Sequence, residues 1–405
     1  MAQLGWIHFS PAFKSKVDSI LDRLDEEGVV DELGVGVFRD AIADYFFPGT
    51  STIQTRARYF FIIPYLIKDF LNQKGRRRDS LDQYLYDEEH EIMWKLGARY
   101  NFNSNAHSGV IGITKKPKQR LVRRPSSIYW NGLRTFHFIQ TDLSLAGYSQ
   151  WLSRSMEHRT ERLNKDTTAD DADVEYVDWH GIKVSTYQHD WQNDLDLPLR
   201  YEEADFFLQR IRDLFPQTLL GQLAGDKALR QKMFAADGYG TFARTAQDSA
   251  LPDHLKQQLR FAHDLSVVVE GLHWAYCHLI HVKHYSDTQF SARFAEWLDV
   301  LYDRLLDVER LQLETFFESL PRARPDTLQF MLQTLDLVRS QTVSLEAFSA
   351  LVQKQEIRIK GAKSRLREGA LRDFEQGAAK SLFGLNYRFY NVRTLLTDIF
   401  NGLNQ

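Results

Sequence analysis

The chain has 405 residues, of which 43% are hydrophobic and 13% aromatic, and this composition excludes a wholly disordered protein. Its 51 basic and 54 acidic residues give a net charge of −3, so attraction to a polyanion would have to come from local segregation of charge. The single cysteine, Cys277, excludes an internal disulfide framework. We expect no secretory signal and no membrane span, because the longest apolar run, residues 59 to 67, is far shorter than the about twenty residues needed. A cytoplasmic protein is therefore predicted.

Apolar residues recur at spacings of three and four in the first hundred residues, which predicts helices. The expected helices cover residues 12 to 25, 35 to 47, 51 to 72 and 81 to 96. Pro48 and Gly49 end the second of these. Ser51, with Gln54 three places on, has the pattern of a capping box that opens the third. Pro64 is expected to kink that third helix.

The middle of the N-terminal part has a different composition. Residues 97 to 124 are rich in Asn, Gly, Lys and Arg and predict a loop, with one short strand pair near residues 110 to 113. A helix is expected to start at Pro125, and residues 136 to 139 have the composition of a strand. These pieces together suggest a small winged-helix-like unit.

The fold class that the pattern favours is mainly α, with two helical domains. Residues 157 to 178 carry eight acids and are interpreted as an acidic linker. The linker would separate an N-terminal helical domain, residues 1 to 156, from a C-terminal helical domain, residues 179 to 405. The alternative to a plain solvated loop is an acidic flap that masks a basic face. The last expected helix runs from 358 to 400.

Charge is strongly segregated between Ile92 and Thr141, where nine Lys or Arg residues occur without one Asp or Glu. We call residues 92 to 141 the basic tract. A positive surface attracts nucleic acid, because neutralisation of phosphates releases counterions. The predicted nucleic-acid contacts, with DNA as the expected form, are Lys115, Lys116, Lys118, Arg120, Arg123, Arg124 and Arg134. Bases are expected to stack on neighbouring aromatic rings, namely Tyr100, Phe102, Tyr129 and Trp130. The alternative is a solvated basic loop.

A second candidate site follows Gly49. Backbone N–H groups at a helix start, together with hydroxyls and arginines, suit a phosphate or sulfate. The predicted anion-binding residues are Ser51, Thr52, Thr55, Arg56 and Arg58. The alternative is that the two arginines form salt bridges with Asp40 or Asp44. No P-loop lysine pattern is present, so nucleotide hydrolysis does not follow.

A third cluster contains Glu270, His273, Cys277, His281 and His284, which fall within about 80° on one helix. His273, Cys277 and His281 are the candidate metal ligands, since an i, i+4 His/Cys pair can chelate zinc. Five ligands on one straight helix cannot surround an ion, and a partly buried polar helix face is the alternative. No metal or cofactor is therefore predicted. The sequence contains no Walker, dinucleotide-binding, nucleophile-elbow or HExxH pattern.

A fourth cluster is a C-terminal basic stretch that has no acid across eleven residues. Its members are Arg358, Lys360, Lys363, Arg365 and Arg367. It either extends the polyanion track or forms a charged solvent face.

Three segments carry a resemblance to a known family. They read VDELGVGVFRDAIADYFFPGTSTIQTRARYFFIIPYL (residues 30 to 66), RPSSIYWNGLRTF (124 to 136) and LNYRFYNVRTLLTDIFNGL (385 to 403). The first is the most specific, through Arg39, Asp40, Pro48, Gly49, Ser51, Thr52, Gln54, Thr55 and Arg56. The chain resembles domain-of-unknown-function family 6361, bacterial proteins of about this length. Such proteins tend to be encoded in defence islands near helicases, phospholipase-D-like nucleases and methyltransferases, which implies a role in antiphage defence. The resemblance assigns no catalytic residue.

The favoured hypothesis is a non-catalytic nucleic-acid-binding or assembly subunit of a bacterial antiphage defence system. It would contact the phosphate backbone and dock a partner helicase or nuclease, away from any membrane. One alternative is a metal-dependent nuclease or related hydrolase that uses the His/Cys helix, residues 270 to 284. Another alternative is a protein-binding regulator whose basic region meets an acidic partner surface.

Overall fold

The structure is a computed structural model. It describes residues 33–73, 80–102, 109–113, 121, 123–165, 181–285, 289–302, 313–314, 316, 325–369 and 385–405. Within these ranges the chain forms fourteen α-helices, and pairing between strands is limited to isolated bridges. The predicted mainly α, multi-helical fold class is confirmed. None of the helices in the described ranges is both long enough and apolar enough to cross a membrane.

The helices are numbered in chain order. They are α1 (Gly36–Phe46), α2 (Tyr59–Asn72), α3 (Leu81–Arg99), α4 (Pro125–Thr135), α5 (Leu145–Lys165), α6 (Tyr201–Leu214), α7 (Leu219–Gly225), α8 (Lys227–Ala235), α9 (Tyr239–Thr245), α10 (Asp253–Tyr285), α11 (Gln289–Tyr302), α12 (Pro325–Arg339), α13 (Leu345–Lys360) and α14 (Phe389–Gly402).

Contacts divide the chain into two compact units. The first comprises Met1–Asp25, Phe47–Gly225 and Tyr390–Gln405, and the second comprises Glu26–Phe46 and Asp226–Phe389. The predicted domains, residues 1 to 156 and 179 to 405, stay a prediction. Whether residues 157 to 178 act as a linker or flap stays a prediction, since 166–180 lie outside the described residues.

The core of the first unit forms around α2, which is apolar on nearly all sides. Ten of its residues are buried, and Pro64 lies within the helix. The ring of Phe60 lies at centroid distances of 4.9 Å from Tyr129, 5.5 Å from Phe136 and 4.8 Å from Phe207. Edge-to-face contacts of this kind add to the hydrophobic stabilisation of each buried ring. A helix that is hydrophobic all round occupies the centre of its unit.

The helix predicted from Ser51 begins instead at Tyr59. Part of the capping pattern is present, because Ser51 N donates to Oε1 of Gln54 at 3.1 Å. The carbonyl oxygens that would continue the helix are taken by another segment: Asn391 Nδ2 donates to the oxygens of Thr52 (3.0 Å) and Gln54 (2.8 Å). Tertiary hydrogen bonds thus replace the helical ones.

The described part of the expected winged-helix-like unit contains no paired strands. Residues 111–113 form a turn, and Ile139 makes a single antiparallel bridge with Ile182. Phe136 and Phe138 are fully buried, with ring centroids 5.1 and 4.9 Å from Phe207. The apolar run therefore packs into a helical core instead of forming a wing.

The second unit is organised around the 33-residue helix α10. Helices α11 and α13 both pack on it. Trp297 of α11 donates from Nε1 to the carbonyl oxygen of Val267 at 2.9 Å, and Gly271 leaves room for its ring. The single helix predicted over residues 358 to 400 is wrong, because α13 ends at Lys360 and α14 starts at Phe389. Gly361 follows α13 with a φ of +53°, a conformation that interrupts a helix.

Substitution of Gly132 tests how closely α4 approaches the segment before α2. A Cβ at Gly132 would lie 2.5 Å from the carbonyl oxygen of Gly49 and 2.7 Å from Cε1 of Phe60. We expect Gly132→Ala to lower the free energy of unfolding by about 2 kcal/mol, despite the better helix propensity of Ala. Urea unfolding measures this change. Gly225→Ala is the control, because nothing lies within 4 Å of its Cβ position. Equal stabilities of the two variants would contradict the close approach.

Candidate functional site

The most specific sequence segment borders a cleft in the first unit. The cleft is small, with a cavity volume of about 10 Å³. Its lining includes Thr50, Gln54, Thr55, Arg56, Tyr129 and Asn391. The predicted anion-binding segment and α14 thus meet at one place, which the spacing of these residues in the sequence did not indicate.

The backbone N–H groups expected to bind an anion are occupied by a tyrosine. The hydroxyl of Tyr129 accepts from the N–H groups of Thr55 (2.8 Å) and Arg56 (3.0 Å) and donates to the carbonyl oxygen of Arg56 (2.9 Å). Burial raises the pKa of Tyr129 to about 12, so the hydroxyl stays protonated at neutral pH. This one side chain therefore fixes the backbone beside the cleft.

Arg56 is held by a carboxylate from α14. Its Nε lies 3.0 and 2.9 Å from the two oxygens of Asp398, and Nη2 lies 2.8 Å from Oδ1. The same carboxylate accepts from the backbone N–H of Ala57 at 2.9 Å. Burial raises the pKa of Asp398 above its ordinary value, although the hydrogen bond from Arg56 opposes this shift. The charge of Arg56 is thus matched inside the unit.

Arg58 enters a buried polar cluster. Arg58 is 2% exposed and Glu203 is fully buried. Nη1 of Arg58 donates to Oε2 of Glu203, and Oε1 accepts from the Tyr65 hydroxyl at 2.9 Å and from Nη2 of Arg200 at 3.0 Å. The single carboxylate of Glu203 is therefore shared between the guanidinium groups of Arg58 and Arg200. A buried charge of this kind is tolerated only while its partners remain in place.

Three of the five predicted anion-binding residues, Thr55, Arg56 and Arg58, use their side chains for contacts inside the unit. Both arginines are in ion pairs, and the Thr55 hydroxyl donates to the carbonyl oxygen of Gly109 at 2.6 Å. The alternative of internal salt bridges holds for the arginines, but with other partners. Asp40 instead pairs with Arg39 and Asp44 pairs with Arg388. Anion binding in the cleft stays a prediction.

Removal of the charge of Glu203 tests the buried cluster. Glu203→Gln leaves two guanidinium groups without their carboxylate, so we expect a loss of about 3–5 kcal/mol in the free energy of unfolding. Chemical denaturation measures it. The control is Arg99→Ala, which removes the half-exposed Arg99–Asp196 pair of the same unit and should cost under about 1 kcal/mol. Similar losses in the two variants would show that the buried cluster contributes no more to the free energy of unfolding than a half-exposed ion pair.

The basic tract contains no acid in its own sequence, but acids from other segments lie beside it in the folded protein. Arg124 pairs with Asp82 at 2.6 Å and Arg99 with Asp196 at 2.8 Å, so acids from outside the tract neutralise two of its cations. Arg134 donates to the carbonyl oxygens of Thr141 (2.9 Å) and Asp142 (3.2 Å) and closes a turn. Arg123 is partly exposed. The remaining predicted contacts, Lys115, Lys116, Lys118 and Arg120, lie outside the described residues.

The four aromatic residues near the tract differ in exposure. Tyr129 is buried, and Trp130 is 6% exposed with Nε1 donating to the carbonyl oxygen of Leu143 at 3.0 Å. The Tyr100 hydroxyl donates to Asp196 at 2.6 Å. Phe102 is 40% exposed and packs on Trp94 at a centroid distance of 5.0 Å. Of the four rings, Phe102 is therefore the best placed to meet a base.

A carboxylate that sequence reasoning missed caps α4. Glu89 of α3 is 1% exposed and accepts hydrogen bonds from the backbone N–H and, at 3.0 Å, from the hydroxyl of Ser126. Negative charge at a helix N-terminus is stabilised by the helix dipole. Burial nevertheless raises the pKa of Glu89 to about 7. The sequence does contain a signal, because Glu89 lies on the apolar stripe of α3 with Leu81, Leu85 and Ile92.

The raised pKa of Glu89 predicts a pH dependence of stability. The folded protein binds more protons than the unfolded chain between the ordinary pKa of 4.5 and the folded value of about 7. The free energy of unfolding should therefore fall as pH rises through this window, by about 3 kcal/mol. Glu89→Gln should lose that dependence, and the exposed Glu91→Gln on the same helix should keep it. Urea unfolding across the window measures this. Parallel pH profiles for wild type and Glu89→Gln would disprove the assignment.

The candidate metal ligands of the third cluster lie on α10. Cys277 is 2% and His281 1% exposed, and the His281 ring lies 4.4 Å from that of Phe290. Burial raises the pKa of Cys277 to about 12, which favours the thiol over the thiolate that metals bind. Among the described residues, no group of three or more His, Cys, Asp or Glu is arranged to hold a metal ion. The contacts of this helix face are those of a packed core.

A family model described as "Family of unknown function (DUF6361)" matches residues 1–315. The chain belongs to this family. The matched range contains the first two segments on which the resemblance rests, and the third, residues 385 to 403, lies beyond it. No curated protein and no solved structure matches the chain. Membership of DUF6361 transfers no activity or site residue, so function has to be argued from the chain itself.

Proposed function

We propose that this DUF6361 protein is a non-catalytic nucleic-acid-binding or assembly subunit that contacts the phosphate backbone through the basic tract. The observation that carries the proposal is the occurrence of nine cations and no acid between Ile92 and Thr141. The resemblance adds the setting, a bacterial antiphage defence system, and the kind of partner, a helicase or nuclease. Lys and Arg bind phosphates without reading the base sequence, so we expect little sequence preference.

The ends of the segment that carries most of the cations are held on the first unit. On one side, Ile111 N donates to the Tyr59 hydroxyl at 2.9 Å, and Val110 is buried. On the other side, Arg124 is fixed by Asp82 and lies over the ring of Tyr86 at 5.8 Å. The described residues that flank these cations in sequence are thus part of the folded unit, and a contact built on folded residues loses less conformational entropy on binding than one on a free tail. This arrangement supports the tract as a binding element.

Three cations of the basic tract have internal contacts that use their charge or their donors. Arg99 and Arg124 pair with acids, and Arg134 closes a turn. The proposal therefore assigns the phosphate contacts to Lys115, Lys116, Lys118 and Arg120. Four phosphate contacts correspond to a slope of about −4 in a plot of log affinity against log salt for duplex DNA.

Fluorescence anisotropy with labelled duplex and single-stranded DNA across a salt series tests the proposal. We expect binding that weakens steeply with salt, and Lys115→Glu/Lys116→Glu should lower the magnitude of the slope by about two. Arg124 is left unchanged because its ion pair is structural. The matched control is Lys227→Glu/Arg260→Glu, two exposed cations of the second unit, which should bind as wild type does.

Two results would count against this function. Unchanged affinity of Lys115→Glu/Lys116→Glu would remove the tract as the contact face. Absence of DNA binding by the wild-type protein at low salt would favour the protein-binding regulator, and a search for its partners would follow.

A further inference from the structure

The loop after α13 shows how the C-terminal basic stretch is arranged. We call residues 361–369 the Lys363 loop. Gly361 starts it with a φ of +53° and a ψ of −119°, a conformation that L-residues rarely adopt. Leu366, 3% exposed, anchors the middle of the loop in the second unit. The loop is therefore a defined turn and not a continuation of the helix.

A buried carboxylate determines the shape of the Lys363 loop. Glu356 of α13 is fully buried, and it accepts hydrogen bonds from the Ser364 hydroxyl and, at 2.8 Å, from the backbone N–H of Arg365. The Ser364 hydroxyl in turn accepts from the N–H groups of Leu366 (3.2 Å) and Arg367 (3.0 Å). Burial of a carboxylate is unfavourable unless the carboxylate is hydrogen-bonded. Movement of the loop away from Glu356 would break these hydrogen bonds, so the buried carboxylate holds the loop backbone in place.

The fixed backbone presents cations to solvent. Lys363 and Arg367 are exposed, and neither forms an ion pair with a carboxylate of the described residues. Lys283 of α10 joins them, because its ammonium group donates to the carbonyl oxygen of Arg367. Arg358 differs from these three: it donates to the Asp326 carbonyl oxygen at 2.7 Å and lies 3.6 Å from the carboxylate of Asp326.

Folding brings a cation from a distant helix to this loop. Lys283 is about eighty residues from Arg367 in sequence, yet the two are in direct contact. The acid nearest to Arg367 in sequence is Glu368, which is exposed, so among the described residues of the patch the three cations outnumber it. A merely solvated charge run requires neither a buried carboxylate to shape it nor an added cation from another helix. A rigid positive patch of lysine and arginine is complementary to phosphate groups.

We propose that Lys283, Lys363 and Arg367 form a second contact for the phosphate backbone of nucleic acid, on the second unit. This inference rests on the proposed function for the identity of the ligand, but not on the basic tract. The three cations would neutralise phosphates without contacting bases.

The test compares salt slopes of duplex DNA binding, measured by fluorescence anisotropy, for the full-length protein and its variants. Lys363→Glu/Arg367→Glu should reduce the magnitude of the slope by about two and weaken binding more than tenfold at about 0.1 M salt. Lys283→Gln is a milder variant that should reduce the slope by about one. The control Lys227→Glu/Arg260→Glu changes the same number of charges in the same unit, and Arg260 lies about 35 Å from Lys283 along α10.

The outcomes separate this inference from the function on which it rests. If Lys363→Glu/Arg367→Glu binds DNA with the affinity and the salt slope of the wild-type protein, the second contact is disproved and the basic tract stays the proposed contact. A reduced slope for that variant together with an unchanged one for Lys115→Glu/Lys116→Glu supports the second contact and removes the tract. No wild-type binding at low salt overturns both. Unchanged DNA binding with lost binding to polyglutamate would identify the loop as a protein-docking face and overturn the inference.

Discussion

The fold of the first unit depends on hydrogen bonds from distant side chains to the backbone of the segment between Gly49 and α2. A buried backbone group without a hydrogen-bond partner destabilises a fold by the cost of its desolvation, so irregular buried segments need partners from elsewhere. Here the partners are three side chains from two helices: Tyr129 of α4 and Asn391 and Asp398 of α14. This requirement explains why the C-terminal residues belong to the same compact unit as Phe47–Gly225.

The same principle separates the structural cations of this protein from those that face solvent. Arg56 forms an ion pair with Asp398, Arg58 with Glu203 and Arg124 with Asp82. These pairs join segments that are far apart in sequence, so a count of charges in a sequence window cannot reveal them. The Lys363 loop shows the opposite use of a carboxylate. Glu356 hydrogen-bonds to the loop backbone and leaves cationic side chains exposed.

Helices with a strong periodic signal were predictable, and their ends were less so. The periodicity near residues 81 to 96 matches α3, which runs Leu81–Arg99. The capping pattern at Ser51 was misleading, because its side chains satisfy a loop that Asn391 holds from a distance. The expected helix over 358 to 400 failed at Gly361, where a positive φ and the hydrogen bonds of Glu356 form a turn. In each case a contact distant in sequence overrode a local preference.

The sequence by itself determined the helical class, the absence of a disulfide framework and the distribution of charge along the chain. It also indicated the family, because the residues around Gly49 form a specific pattern. Only the tertiary structure decided which cations are neutralised, that Glu89 caps α4 and that Lys283 joins the Lys363 loop. The physical reason is that secondary structure follows from interactions between near neighbours, whereas ion pairing and burial depend on which distant segments come into contact.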